Sequence, residues 1–233
     1  MSLTSKNDCS PVDFQLRAAG VSSEGSHNPQ RSGKHNRGFL PHVKLENASY
    51  FVTFRLEGTL PKSVLFELLQ KRAEHVRIVK AEANQSAIKL RAIQRQYFKS
   101  LESILDTPAG TLADPRLARL VSDALRFFHD QRYRLDAWVV MPTHVHVVLW
   151  PMPGHTLSEI LQSWKRFTAR EANKVLNKTN HRFWQPESYD HWIRNPDEHA
   201  RCCRYTIQNP VKARLCSKPE DWPWSSAHCN ADL

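Results

Sequence analysis

The run Met141-Pro142-Thr143-His144-Val145-His146-Val147-Val148-Leu149-Trp150 constrains this chain more than any other. The residues flanking the two histidines are almost all apolar, as expected of a central strand buried on both faces,. Alternate side chains of a strand point to the same face. His144 and His146 therefore lie side by side, with Val145 on the opposite face. Burying two imidazoles together is costly unless something binds them, and a divalent metal is the chemical candidate. A pair of hydrogen-bonded core or interface histidines is the competing reading.

A second segment bears on that choice: Arg204-Tyr205-Thr206-Ile207-Gln208-Asn209-Pro210-Val211-Lys212-Ala213. The residues from Pro196 to about Gln208 predict a helix, with Asn195 as its cap and Asp197 and Glu198 in its first turn. Tyr205 and Asn209 are one turn apart and share a face. An amide oxygen there can serve as a third metal ligand and a phenol as a nucleophile. Equally, Tyr205 can be a core tyrosine, and Asn209 a helix C-terminal residue ahead of Pro210.

Several segments taken in order resemble the single-tyrosine HUH transposases, in the branch called REP-associated tyrosine transposases. They are Tyr50-Phe51-Val52-Thr53-Phe54-Arg55, Met141-Pro142-Thr143-His144-Val145-His146, Phe183-Trp184-Gln185-Pro186, Tyr189-Asp190-His191, Arg204-Tyr205, Asn209-Pro210-Val211-Lys212-Ala213 and Asp221-Trp222-Pro223-Trp224-Ser225-Ser226. Together they run from about Phe39 to Ala227. The resemblance implies that His144, His146 and Asn209 bind a divalent metal and that Tyr205 attacks DNA. It implies cleavage and rejoining of single-stranded DNA near hairpins of palindromic repeats, through a covalent 5′-phosphotyrosine and a free 3′-OH. Insertion-sequence relatives often carry Gln where this chain has Asn209, a shorter side chain.

Composition is compatible with that implication. The chain has 233 residues and a formal net charge of +10 at pH 7, with a sequence pI near 9.6. A polyanionic partner suits such a balance, because nucleic-acid affinity comes largely from neutralising phosphates. The five cysteines form no C-x-x-C pair, which points to reduced thiols in a cytoplasmic protein rather than a disulfide framework or zinc site. No apolar run approaches the ~18 residues of a membrane span, and no secretory signal stands at the N-terminus.

Residues 1–38 are rich in Ser, Asn, Gly and charge, and predict a disordered tail before a single domain over 39–233. Strand patterns follow at Tyr50–Leu56, Arg132–Val140, the histidine run and Phe183–Ile193. The tight Met141-Pro142 turn predicts an antiparallel hairpin. Helical patterns cover Pro61 to about Leu105, the stretch opened by Asp114-Pro115, and a segment capped by Thr156 or Ser158 that runs to about Leu176. This alternation fits an α+β ferredoxin-like sandwich: an antiparallel central sheet with helices on one face. The Pro61–Leu105 stretch reads as an extended helical insertion.

The residue types permit metal-assisted phosphodiester chemistry. A metal on His144, His146 and Asn209 can polarise a phosphate as a Lewis acid. Imidazole suits Mn²⁺, while Mg²⁺ prefers oxygen, so either Mg or Mn can be the cofactor. A phenol with pKa ~10 needs cationic help to ionise. Lys165, Arg166, Arg170 and Lys174 on the helix after Thr156, with Arg204 and Lys212, are candidate DNA contacts; a solvated basic face is the alternative. Tyr189 is a rival nucleophile, next to Asp190 and His191, but it lies on a strand with no amide one turn on. Trp222 and Trp224 can stack on bases or anchor the C-terminal segment.

Three functions remain open on these grounds: a tyrosine transposase or nickase on single-stranded or hairpin DNA, a non-catalytic nucleic-acid-binding protein of the same fold, and a replication-initiator-type nickase. An intact His144, His146 and Tyr205 favours the first. Relatives in the insertion-sequence group work as dimers and the repeat-associated branch can be monomeric, so a homodimer is open as well.

Overall fold

The apolar runs come together in one sheet. The computed structural model describes residues 33–37, 40–44, 48–60, 62–81 and 86–231. Its main sheet holds four strands: β3 (Tyr50–Leu56), β4 (Tyr133–Val140), β5 (His144–Pro151) and β6 (Trp184–Trp192). Their order is β4-β5-β3-β6, and every neighbouring pair is antiparallel. A separate pair, β1 (Gly33–Arg37) and β2 (Leu40–Lys44), is also antiparallel, and β2 lies beside β6. Within the 1–38 stretch expected to be a disordered tail, Gly33–Arg37 instead forms β1, held by its pairing with β2; the rest of that expectation lies outside the described residues.

Six helices are described: α1 (Lys62–Ala81), α2 (Ser86–Leu105), α3 (Pro115–Arg126), α4 (Leu157–Val175), α5 (Pro196–Lys212) and α6 (Ser226–Ala231). From β3 to β6 the path is strand, helices, strand, strand, helix, strand, with β3 and β5 central. This is the ferredoxin-like split βαβ arrangement expected from the sequence. Helices α3 and α4 pack together on one face of the sheet. That face is built by Tyr50, Val52, Phe54 and Leu56 from β3 and by Val145, Val147 and Leu149 from β5. Leu117, Val121, Leu125, Ile160, Leu161 and Trp164 come down from the two helices.

Local chemistry explains where these elements begin. The Asp114 side chain accepts from Arg116 N and caps α3, with Pro115 at its start,. Thr156 and Glu159 form a capping box at the head of α4,. Polar atoms within the core are matched. The Tyr133 hydroxyl donates to Leu125 O (2.8 Å) and accepts from Trp164 Nε1 (2.9 Å), and Trp184 Nε1 donates to Thr168 Oγ1 (2.8 Å),.

The sequence predicts helices on one face only, but the other face is covered as well, because the histidine face of the sheet is also apolar and needs burial. There α5 rests on Phe51, Ala137, Val148, Tyr189 and Ile193 through Cys202, Cys203, Tyr205 and Ile207. Asn195 caps it by accepting from Glu198 N. The helix runs through Pro210 to Lys212, past the Gln208 end that Pro210 suggests. Burial of Asn209 and Pro210 against the sheet outweighs the local preference against helix before proline,. The exposed edge of β4 is closed by the C-terminal segment: Val140 N donates to Trp224 O (2.8 Å) and Trp222 Nε1 to Val140 O (3.0 Å),. Trp222 is thus an anchor of that edge. No helix among the described residues is long and apolar enough to cross a membrane.

The Pro61–Leu105 stretch is two helices packed on each other, where the sequence suggested one extended helical run. A single long helix would leave Val64 and Leu68 without apolar partners, whereas folding back packs them with Leu60, Leu101 and Leu105,. The end of this insertion rests on the turn before β5. Leu112 N donates to Pro142 O (3.0 Å), and a Cβ on Gly110 would collide with the carbonyl of Pro142 and the Thr143 methyl. Gly110→Ala is therefore expected to lower unfolding stability by roughly 1–3 kcal/mol through overpacking, measured by urea denaturation.

Candidate active site

Strand alternation places His144 and His146 under α5, both fully buried, while Val145 joins the core on the α3–α4 side. Their Nε2 atoms face each other at 2.9 Å. The Nδ1 atoms are held from behind by threonine hydroxyls: Thr143 Oγ1 lies 2.8 Å from His144 Nδ1 and Thr53 Oγ1 lies 2.7 Å from His146 Nδ1. The Thr143 hydroxyl gives its one proton to Leu105 O at 2.6 Å. It must then accept from His144 Nδ1–H, which leaves a lone pair on His144 Nε2. Burial holds His144 down to about 3, far below the ordinary imidazole value. His146 is also well below it, through burial first, then the neighbouring His144 and Lys212. Both imidazoles are thus neutral at physiological pH, the state in which histidine binds metals.

Asn209 reaches the pair from α5, its Nδ2 lying 3.2 Å from His146 Nε2. The amide oxygen Oδ1 is buried with no hydrogen-bond partner. Turning the amide over, which barely changes its shape, would present that oxygen to the histidine pair. Asp106 is nearby as well: its Oδ1, buried and without a hydrogen-bond partner, stands 3.8 Å from His144 Nε2. Burial pushes this carboxyl up to about 6, against the pull of Lys212. No group of three or more His, Cys, Asp or Glu side chains forms a ready-made metal cage among the described residues. Even so, the donor set fits a divalent cation: two neutral imidazole nitrogens converge, and two orphaned oxygens border them.

Tyr205 sits one turn before Asn209 and is half-buried. Its ring lies edge-on to His146 at 5.7 Å and to Phe51 at 5.7 Å, while Phe51 stacks on His146. Lys212 Nζ stands 4.2 Å from the Tyr205 ring centroid. Of the residues singled out in the sequence, His144, His146, Asn209, Tyr205 and Lys212 are brought together. Arg204 is exposed on the same helix.

The basic residues of α4 are not brought to this site, because α4 packs on the far face of the sheet. Lys165 Nζ donates to the carbonyls of Gln185, Pro186 and Glu187, and burial, with Arg55 nearby, lowers it to about 8. Arg170 and Lys174 pair with Glu171. Arg166 is exposed beside them. Tyr189, the rival nucleophile, is buried edge-on to Phe51. His191 bonds Glu198 at 2.9 Å, tying β6 to the start of α5.

Thr53, Thr143 and Asp106 were missed in the sequence. Thr143 stands next to His144, and Thr53 is a polar residue on the histidine side of an apolar strand; both carried a faint signal. Asp106 carried none, because only the folded insertion brings it to His144.

Residues 114–193 match the family described as Transposase IS200 like. That span includes His144 and His146; Tyr205 and Asn209 lie beyond it. The REP-associated tyrosine transposase of Escherichia coli (strain K12) is 29% identical over 99 residues, covering 42% of this chain and 57% of that protein. A solved REP-associated tyrosine transposase bound to a REP hairpin aligns over 86% of both chains, at 17% identity and a TM-score of 0.46. Residues 114–193 are thus similar to the IS200-like family, and the chain spans little more than half the length of the curated relative it matches.

The buried imidazoles give stability a pH dependence of known sign. Unfolded, each takes up a proton near 6.5; folded, neither does so until far lower pH. The unfolded state then binds more protons, so stability falls as pH falls. Asp106 works the other way, binding its proton in the fold at about 6 but near 3.8 when unfolded. It offsets one imidazole over that interval. Between pH 6 and 4 the metal-free protein is expected to lose up to about 1.4 kcal/mol per pH unit from these groups. Urea midpoints across that range check this; in a His144→Gln/His146→Gln variant only Asp106 remains, and the dependence should reverse, with stability rising as pH falls from 6 to 4,.

Proposed function

We propose that this chain, IS200-like in its residues 114–193, is a metal-dependent tyrosine transposase. It cleaves and rejoins single-stranded DNA beside hairpins through a covalent 5′-phosphotyrosine on Tyr205. The observation that carries this reading is the convergence on one buried spot of the two Nε2 atoms and the Asn209 amide, with Tyr205 packed against the same imidazole. A purely binding module has no need of that set.

His144, His146 and Asn209 would hold the cation, which when bound supplies Lewis-acid polarisation of the scissile phosphate. Thr143 and Thr53 keep both imidazoles turned with Nε2 forward,. Tyr205 Oη attacks phosphorus and forms a phosphotyrosine ester, while the bond from phosphorus to the 3′ oxygen breaks. The phenolic proton leaves to water, and the departing oxygen takes up a proton to become a 3′-OH. Lys212, above the Tyr205 ring, stabilises negative charge at the reacting centre and can meet a phosphate. The ester conserves the bond energy, so attack by a 3′-OH rejoins DNA without a nucleotide cofactor.

Covalent trapping tests this reading. Protein is incubated with labelled single-stranded DNA from the flanks of its own gene, with Mn²⁺, Mg²⁺ or EDTA. Wild type is expected to form a denaturant-resistant adduct with metal and none with EDTA; Tyr205→Phe forms none. An adduct that survives Tyr205→Phe would assign the nucleophile elsewhere. Tight binding with no adduct under either metal would point to the non-catalytic DNA-binding reading.

A further inference from the structure

Asp106 borders the histidine pair but has no role in the function proposed above, and its position is hard to explain by packing. It follows α2 directly, at the end of the helical insertion. Its Oδ1 is buried without a hydrogen-bond partner, 3.8 Å from His144 Nε2. A carboxylate that merely orients a ligating histidine bonds the nitrogen behind the metal. On His144 that nitrogen, Nδ1, is already taken by Thr143. Asp106 instead faces Nε2, the side on which a ligand would sit.

The distances agree with a shared ligand. Two donors bound at ~2.1 Å stand ~3 Å apart at a right angle and ~4.2 Å apart when opposite each other. The two Nε2 atoms are 2.9 Å apart, and Asp106 Oδ1 is 3.8 Å from His144 Nε2. Charge points the same way. His144, His146 and Asn209 are all neutral donors, and Lys212 adds positive charge nearby. A divalent cation among them lacks a protein anion unless Asp106 supplies it.

The attachment of the insertion holds this carboxylate in place. Thr143 Oγ1 donates to Leu105 O at 2.6 Å. The same hydroxyl thus fixes the orientation of His144 and docks the residue before Asp106. One hydrogen-bonded chain runs from the insertion through Thr143 to the histidine.

Resting on the metal-dependent reading above, we infer that Asp106 is an anionic ligand in the site of His144, His146 and Asn209, delivered by the helical insertion. It makes up for the short reach and neutrality of Asn209. The site then binds Mn²⁺ before DNA arrives, rather than depending on a DNA phosphate to complete it.

The test reads metal binding alone, without DNA or turnover. Mn²⁺ is titrated into full-length wild type, Asp106→Asn, Asp106→Glu and His144→Ala, and free Mn²⁺ is followed by electron paramagnetic resonance. Circular dichroism confirms folding of each. Asp106→Asn keeps the shape and removes only a charge, and is expected to weaken Mn²⁺ binding about 10–100-fold. Asp106→Glu, which restores the charge, should bind more tightly than Asp106→Asn. Equal affinity in wild type, Asp106→Asn and Asp106→Glu, with binding lost in His144→Ala, would overturn the role of Asp106 and leave the metal-dependent function standing. No binding by wild type would overturn both.

Discussion

Two neutral imidazoles facing each other at 2.9 Å in a dry sheet are the constraint around which this molecule is arranged. Water cannot solvate them, and burial keeps protons off them. Their Nδ1 atoms are committed to Thr143 and Thr53, which leaves Nε2 as the only outlet for coordination. Asn209, Tyr205, Lys212 and Asp106 all lie within reach of that one spot. None of these makes chemical sense there without the pair, and the pair is costly without a ligand.

The sheet divides labour between its faces. On one side, α3 and α4 bury a continuous aliphatic and aromatic core that fixes the register of β3 against β5. That register sets Thr53 opposite His146. On the other side a single helix, α5, carries Tyr205, Asn209 and Lys212. It is held by specific polar ties as well as by apolar contact. His199 Nε2 meets Asp136 at 2.8 Å with both side chains nearly buried, and Glu198 meets His191. These ties lie in the first half of α5, upstream of Tyr205 and Asn209, and they set how the helix lies on the strands. Placing Tyr205 and the Asn209 amide on one helix makes their spacing a property of helix geometry. Placing both histidines on one strand does the same for the pair.

The helical insertion is more than an appendage. Its small core closes on itself, but its C-terminal end is fastened to the turn that precedes the histidine strand through Leu105, Gly110 and Leu112. That fastening places the Asp106 carboxylate 3.8 Å from His144 Nε2. A basic patch on α4 looked comparable in sequence, yet it lies across the sheet, with Lys165 committed to backbone carbonyls.

Sequence alone determined the parts that obey short-range periodicity. The alternation in β5 put His144 and His146 on one face; the spacing of Tyr205 and Asn209 put them on one face of a helix; Asn195, Thr156 and Asp114 marked where helices begin. The strand and helix order also pointed to the ferredoxin-like sheet. Each of these depends on residues within a turn or two, so local rules suffice. Which elements meet across the sheet was decided only by tertiary packing. The sequence did not show that α4 and α5 lie on opposite faces, so the basic residues of α4 stayed candidates beside Lys212. It did not show that Pro61–Leu105 doubles back, or that α5 continues through Pro210. Nor could it bring Asp106 to His144, because no periodicity links them and only the docking of Leu105 onto Thr143 closes that gap. Burial, which makes both imidazoles neutral and leaves Asp106 Oδ1 and Asn209 Oδ1 without a hydrogen-bond partner, is likewise a property of the packed molecule,.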